Sequence, residues 1–231
     1  MIENKLQNLL QKNKDQFHSV IKFDAGHDKI YTFDFTEKNK ELEQIDLQNI
    51  EEFSHYIIDT LKNHAAKFGF GGYDELRVLY KRSSLFDEGV SEEPRRLHLG
   101  IDIWGNEGTE IFAPLDGTVH SYAFNNNYGD YGATIILSHC LEGVYFFTLY
   151  GHLSLADIQN IKEGEEIKRG QKFAHFGRPS ENGQWPPHLH FQIIYDLPGS
   201  KGDYPGVCKL SDREKYLSNC PDPDIILQFN N

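Results

Sequence analysis

The amino-acid sequence predicts a mainly β protein of the α+β class, in which a small N-terminal α/β element precedes an antiparallel β sandwich. From about residue 95 onward, apolar runs of strand length alternate with Gly, Pro, Asn and Asp, as in YGATIILSH and HLHFQIIY. Helical periodicity is found mainly in the earlier part of the chain. The 231 residues suffice for one large domain or a domain with an appendage, at roughly 150 residues per domain. We therefore divide the chain into residues 1–92 and residues 93–231.

The N-terminal element is predicted to contain two helices and two strands. Apolar residues recur at helical spacing over residues 6–17 and, more strongly, over residues 47–68, where the glycines of FGFGGY should end the second helix. Polar and apolar residues alternate over residues 29–37 and 75–82, so each stretch can supply a short strand. The sequence leaves three roles open for this element: it caps a groove, mediates dimerisation or completes the fold. The oligomeric state is also left open.

The charge balance argues against polyanionic partners. Lys and Arg number 23 and Asp and Glu number 35, which gives a formal net charge of −12. Affinity for nucleic acid and for anionic membrane surfaces depends on Lys and Arg, so neither is an expected partner. No stretch approaches the ~18 to 20 consecutive apolar residues of a membrane helix, and the N-terminus lacks the pattern of a secretory signal. We therefore expect a cytoplasmic location.

The cysteines do not form a recognisable framework. Cys140, Cys208 and Cys220 contain no Cys-x-x-Cys pair, and an odd count without a signal is typical of reduced thiols. A disulfide between Cys208 and Cys220 is left open.

The histidines carry the chemical signal of the sequence. His188 and His190 are separated by one residue on a predicted strand, so both project from the same face, with backbones ~6 to 7 Å apart. One of them can then coordinate a metal while the other reaches a water molecule beside it. His98 and Asp102 flank Gly100, and four extended residues span ~13 Å, so both reach one ion only if the chain bends. The glycine makes that bend available.

A third context places His152 at the end of an apolar strand, in TLYGHLS, where catalytic groups are often carried. Two histidines, one carboxylate and a water molecule form a familiar open zinc site. The other histidines, including His139 at the end of IILSH, are expected to be ordinary surface or core residues. The chain has no His-Glu-x-x-His, no Gly-x-Ser-x-Gly and no phosphate-binding Gly-rich loop followed by Lys-Ser/Thr, which other chemistries would need.

Residues from about Leu97 to Tyr195, some 40% of the chain, resemble the lysostaphin-type zinc metallopeptidases that cut peptidoglycan cross-bridges, a group that includes LytM-like domains. The landmarks occur in the family's order: HLGIDIWG, IFAPLDGTV, GATIILSH, YGHLS, GEEIKRGQKFAHFG and PPHLHFQI. The resemblance implies an antiparallel β sandwich with one zinc ion in a groove between loops. It implies zinc ligation by His98, Asp102 and His190, with His152 and His188 as an outer pair that holds the water or the tetrahedral intermediate.

The chain departs from this family around its His-x-His motif. Trp185, Pro186 and Pro187 stand where relatives carry small residues and a glycine, and Gln192 stands where they carry a glutamate. Substrate specificity is therefore an open question. The NGQWPPHLHFQI string and the DPDIIL tail look like a subgroup found fused to kinase-like and class III aminotransferase modules, which favours a cytoplasmic substrate.

The resulting hypothesis is a zinc-dependent endopeptidase that hydrolyses a peptide or muropeptide by zinc-activated water. His152 and His188 are expected to exchange protons, and which of them is the base is left open. Two alternatives are kept: a zinc-bound but catalytically idle binding or regulatory module, and a carrier or sugar-binding sandwich in which the histidines serve another purpose. Metal content separates the last from the other two, and turnover separates the first two.

Overall fold

The fold consists mostly of β-strands, with short helices at both ends of the chain. The structure, a computed structural model, describes residues 3–87 and 92–229. Its α-helices are α1 (Glu3–Lys12), α2 (Ile50–Asn63), α3 (Leu155–Gln159), α4 (Arg213–Asn219) and α5 (Asp224–Leu227). Its strands are β1 (Ile30–Phe33), β2 (Phe68–Gly71), β3 (Glu75–Leu76), β4 (Leu97–His98), β5 (Ile101–Trp104), β6 (Glu110–Phe112), β7 (Gly117–Asn125), β8 (Gly132–Leu141), β9 (Val144–Leu153), β10 (Glu166–Ile167), β11 (Lys172–His175), β12 (His188–Ile194) and β13 (Val207–Cys208).

Eight of these strands form one sheet in the order β1-β2-β5-β12-β9-β8-β7-β10. Every pair in it is antiparallel except β1 with β2, which run parallel. Strands β6 and β11 form a small antiparallel sheet, and β13, β4 and β3 form another. The mainly β, α+β prediction is confirmed.

The middle of the large sheet is buried on both faces, and its side chains alternate between them. On β12 the polar residues share one face and the apolar residues share the other: His188, His190 and Gln192 against Leu189, Phe191 and Ile193. Because side chains alternate along a strand, the apolar set packs into the main core while the polar set is left together on the opposite face.

The N-terminal segment contributes directly to this sheet and its cores. Leu6 and Leu10 of α1 belong to the same buried cluster as Ile135 and Phe191 of the large sheet. A second cluster packs Phe53 of α2 and neighbouring aromatic residues against Trp104 and Trp185. The division at residue 92 stays a prediction, and the cores on either side of it are shared.

Two details of the N-terminal prediction are wrong. Helix α2 ends at Asn63, and Ala65, two residues later, adopts a left-handed φ of 50°. The FGFGGY segment supplies strand β2 instead of the helix end. A Cβ at Gly69 would lie 2.2 Å from Cε2 of Phe33, so the glycine lets that ring pack directly on the strand. The strand predicted over residues 75–82 is limited to Glu75–Leu76 and is followed by a 3-10 helix, Leu79–Arg82.

The three cysteines are free thiols, so the structure contains no bond between Cys208 and Cys220. Within residues 3–87 and 92–229, no helix combines the length and the apolarity required to cross a membrane.

Candidate metal centre and catalytic groove

Strand register brings the candidate site residues together at the centre of the large sheet. His190 lies directly opposite Asp102 on β5, and His188 lies directly opposite Trp104. The second pairing explains why the His188 ring stacks on the Trp104 ring, with centroids 3.9 Å apart and planes 19° apart. On the other side of β12, His190 pairs with Gly151, the residue before His152.

The chain bends between His98 and Asp102, as the sequence requires if the two are to meet. His98 ends β4 in the three-stranded sheet, whereas Asp102 lies on β5 in the eight-stranded sheet. A Cβ at Gly100 would lie 2.6 Å from Nε2 of His190 and 2.8 Å from the Phe191 carbonyl oxygen. Only glycine leaves room for the His190 ring at this bend.

Three side-chain atoms form a small triangle at this point. Nε2 of His98 lies 3.0 Å from Nδ1 of His190 and 3.3 Å from Oδ1 of Asp102, and the last two atoms are 3.0 Å apart. Tetrahedral zinc with bonds of ~2.0 to 2.1 Å separates its ligand atoms by ~3.3 Å. The triangle therefore fits one face of a zinc tetrahedron, and the donor set of two imidazoles and one carboxylate suits that metal.

Hydrogen bonds at the far side of each ring fix which nitrogen faces the triangle. Nδ1–H of His98 donates to the Gly72 carbonyl at 2.9 Å, and Nε2–H of His190 donates to Oε1 of Gln192 at 2.9 Å. The Gln192 amide donates in turn to the Pro205 carbonyl and to Sγ of Cys220, each at 3.2 Å. Gln192 thus supplies the acceptor that orients His190, a candidate ligand.

The electrostatics of the triangle favour a neutral imidazole beside a carboxylate. Burial and the nearby Arg77 guanidinium lower the pKa of His98 to about 4. Burial raises the pKa of Asp102, but the electrostatic effects of His98 and Arg77 more than offset this, so its pKa lies well below the usual range. Both residues are therefore in the protonation states that metal ligation requires.

His152 and His188 lie beside the triangle as a pair of rings in contact, with their planes tilted by 33°. Their centroids are 4.0 Å apart, and Nε2 of His188 is 4.0 Å from Oδ1 of Asp102. Nδ1–H of His152 donates to the Asn182 carbonyl and Nδ1–H of His188 to the Pro186 carbonyl, both at 2.8 Å. Burial, followed by the charge of His188, lowers the pKa of His152, and burial lowers that of His188 to about 4. Each neutral ring therefore keeps Nε2 as a proton acceptor.

Asp102, His152, His188 and His190 line a cavity of about 340 Å³. Apolar walls come from both parts of the chain and include Tyr80, Leu85, Phe86, Trp185 and Val207. Two further carboxylates, Asp130 and Asp203, line the same cavity with Asp102. A cavity with a few convergent polar groups among apolar walls is the ordinary form of a substrate site.

His139 is not part of this site. Its Nδ1–H donates to the Asp116 carbonyl at 2.9 Å, its Nε2 lies 2.7 Å from the Thr148 hydroxyl, and it is buried. Arg77, Tyr80 and Tyr131 also contact the triangle and were not predicted from the sequence. No local pattern marks them, because their approach to the site depends on how distant segments pack.

Known proteins similar to the chain align mainly with the part that carries this site. The model of peptidase family M23 matches residues 96–202. An uncharacterized metalloprotease of Haemophilus influenzae is 34% identical over 98 residues, which cover 42% of this chain and 18% of that protein. The murein hydrolase activator NlpD of Escherichia coli is 38% identical over 96 residues, or 42% of this chain and 22% of that protein. Lipoprotein NlpD of Yersinia enterocolitica is 38% identical over 94 residues, or 41% of this chain and 86% of that protein.

The chain thus spans about a fifth of the length of the first two of these relatives. The shared segment carries the triangle and both outer histidines, whereas the segment before residue 96 lies outside the family match.

Proposed function

The chain belongs to peptidase family M23, and we propose that it is a zinc-dependent metalloendopeptidase acting on a peptidoglycan-type peptide or a related small peptide. The observation that carries the proposal is the buried triangle of His98, Asp102 and His190, whose 3.0 to 3.3 Å sides match one face of a zinc site. The intact outer pair of histidines supports turnover as well as metal binding.

Each residue has a proposed role in hydrolysis. When bound, zinc would polarise the scissile carbonyl and lower the pKa of a water molecule towards ~7. His98, Asp102 and His190 would hold the ion. Nε2 of His152 or His188 would accept the proton of the attacking water and deliver it to the leaving amine, because the Nδ1–H of each ring is already committed to a backbone carbonyl. Their protonated forms would also donate hydrogen bonds to the developing oxyanion.

The substrate class rests on the family and on the net charge. The E. coli relative is named as an activator of murein hydrolases, which connects it with murein. We therefore propose murein-derived peptides as candidate substrates of this chain. The net charge of −12 disfavours a strongly anionic polymer. A soluble muropeptide or a neutral peptide is the better fit.

The test is hydrolysis of pentaglycine and of a soluble muropeptide by the zinc-loaded full chain, with and without a chelator. The proposal predicts cleavage of at least one substrate, its loss with chelator, and its return when zinc is restored. Cleavage that is unaffected by complete metal removal would contradict it.

A second candidate is a zinc-bound but catalytically idle regulatory module, and the name of the E. coli relative favours it. In that case the chain would hold zinc and leave both peptides intact. Replacing His188 would then change no activity of the chain, because there would be none to lose.

A further inference from the structure

Arg77 contacts the candidate metal centre, although it precedes the segment that matches the family model. It follows β3, well before residue 96, and its side chain is completely buried. NH1 of its guanidinium donates to Oδ2 of Asp102, the oxygen that does not face His98 and His190. Burial of an arginine destabilises the folded state unless the guanidinium is paired and hydrogen-bonded. Asp102 is one of the partners that Arg77 has.

The other donors of Arg77 are also engaged. Nε–H donates to Oε2 of Glu75 at 2.6 Å, and NH2 lies 3.3 Å from the Gly72 carbonyl, which also accepts Nδ1–H of His98. One guanidinium therefore contacts the Asp102 carboxylate and the backbone group that orients His98. The same guanidinium pairs with Glu75 and with Asp102, so it acts on the triangle through the fixed direction of its donors in addition to its charge.

The sheet contains a matching space for this side chain. Gly71 on β2 pairs with Asp102 on β5, and a Cβ at Gly71 would lie 2.7 Å from NH2 of Arg77. Any larger residue at position 71 would push the guanidinium away from the carboxylate. Gly71 thus leaves the room in which the Arg77 guanidinium reaches Asp102. Both residues belong to the segment before residue 92.

We infer that Arg77 is a positioning residue of the metal centre, which holds Oδ2 of Asp102 so that Oδ1 alone is presented beside His98 and His190. This inference rests on the proposed function, since it assumes that the triangle holds zinc. Without the guanidinium, the carboxylate is free to rotate and the ligand set loses its preorganised geometry. The N-terminal segment is then part of the metal centre and not only a wall of the groove.

The test measures zinc affinity of full-length variants by competition with a chromophoric chelator. Arg77→Met removes the guanidinium, and Glu75→Gln combined with Arg77→Met removes it without leaving the Glu75 carboxylate unpaired. Gly71→Ala keeps the arginine and displaces it. Arg77→Lys keeps the charge but not the fork of donors. Circular dichroism and urea unfolding show which variants fold.

Arg82→Met is the matched control. Arg82 is buried as Arg77 is, with 4% of its surface exposed, but it donates to the Tyr128 hydroxyl and the Gln184 carbonyl and is not hydrogen-bonded to the triangle. Its replacement should reduce stability and leave zinc affinity close to that of the wild type, because neither a candidate ligand nor a hydrogen-bond partner of one changes.

The expected result is zinc binding about 10- to 100-fold weaker in Arg77→Met, in the double variant and in Gly71→Ala, with a smaller loss in Arg77→Lys. With Co²⁺ in place of zinc, the intense visible absorption of tetrahedral cobalt should change in the same variants and not in Arg82→Met. Folded variants at positions 71 and 77 that bind zinc as tightly as wild type, with an unchanged cobalt spectrum, would overturn the inference. A wild-type chain that binds no zinc would instead overturn the proposed function.

Discussion

At the residue scale, the four site histidines differ in which partner holds each ring. Backbone carbonyls hold Nδ1 of His98, His152 and His188, whereas Gln192 holds Nε2 of His190. The His-x-His spacing predicted that His188 and His190 could share a site, and Gly100 predicted the bend that lets His98 and Asp102 meet. The grouping of all four histidines in one site was implied by the family resemblance. The role of Gln192 was not predictable, because its amide faces His190 only through contacts with Pro205 and Cys220, which are distant in sequence.

The first prediction concerns the division of roles within the site. His190→Ala and Asp102→Ala should lose zinc, because each removes one corner of the triangle. His188→Ala should keep zinc and lose turnover by about 10²- to 10⁴-fold, the range for removal of a general acid or base. Metal analysis after dialysis, paired with peptide hydrolysis, checks both. Equal loss of metal in all three variants would contradict the assignment.

The second prediction concerns Gln192. Gln192→Leu removes the acceptor that orients His190 and should weaken zinc binding about tenfold or more. Gln192→Glu retains an acceptor oxygen and serves as the control, with a smaller loss expected. Zinc titration of the two folded variants measures the difference, and equal affinities would show that the hydrogen bond to His190 does not matter.

At the scale of elements, a strand was predicted correctly where its apolar pattern is strong and was missed or overextended where other features determine its structure. Strands β8 and β12 have strong apolar patterns and were recognised. Strand β2 was missed because half of its four residues are glycine, which gives no β signal, although glycine is required where Phe33 and Arg77 pack against it. Strand β3 stops after Leu76 because the N–H of Val78 bonds to the Phe35 carbonyl, and a 3-10 helix follows.

The third prediction concerns His139 of β8. Burial lowers its pKa to about 4 in the folded protein, against ~6.5 when unfolded. Between these values the unfolded state binds a proton that the folded state does not, so stability is present above pH ~6.5 and is lost as pH falls towards 4. This group should reduce the free energy of unfolding by about 2 kcal/mol from pH 7.5 to pH 5.

Urea unfolding of wild type and of His139→Gln at pH 7.5 and pH 5 checks this prediction. The variant should be less stable at pH 7.5 and should lose less stability on acidification, while the other buried histidines contribute equally to both proteins. The same pH dependence in both would contradict the assigned role.

At the scale of the whole molecule, the segments on either side of residue 92 share a sheet, two hydrophobic cores and one groove. Strand β2 pairs with β5 beside Asp102, α1 packs into the main core, and Tyr80 and Phe86 line the cavity. Composition distinguished the two segments but not their packing, since helical and strand periodicities report only local structure. The predicted cytoplasmic location stays a prediction.

The fourth prediction follows from this shared construction. A fragment of residues 93–231 should fold poorly and bind zinc weakly, because removal of β2 exposes an edge of β5 and removes Arg77. Circular dichroism and zinc titration of the fragment and the full chain measure this. A stably folded fragment with the zinc affinity of the full chain would show that the N-terminal segment is dispensable for the metal centre.

The central claim is that His98, Asp102 and His190 hold one zinc ion, and zinc stoichiometry tests it most directly. The purified full chain, equilibrated with zinc and dialysed, should contain one zinc per chain, and Asp102→Ala treated in the same way should contain almost none. A wild-type chain that retains no zinc, or an Asp102→Ala variant that retains it fully, would contradict the account.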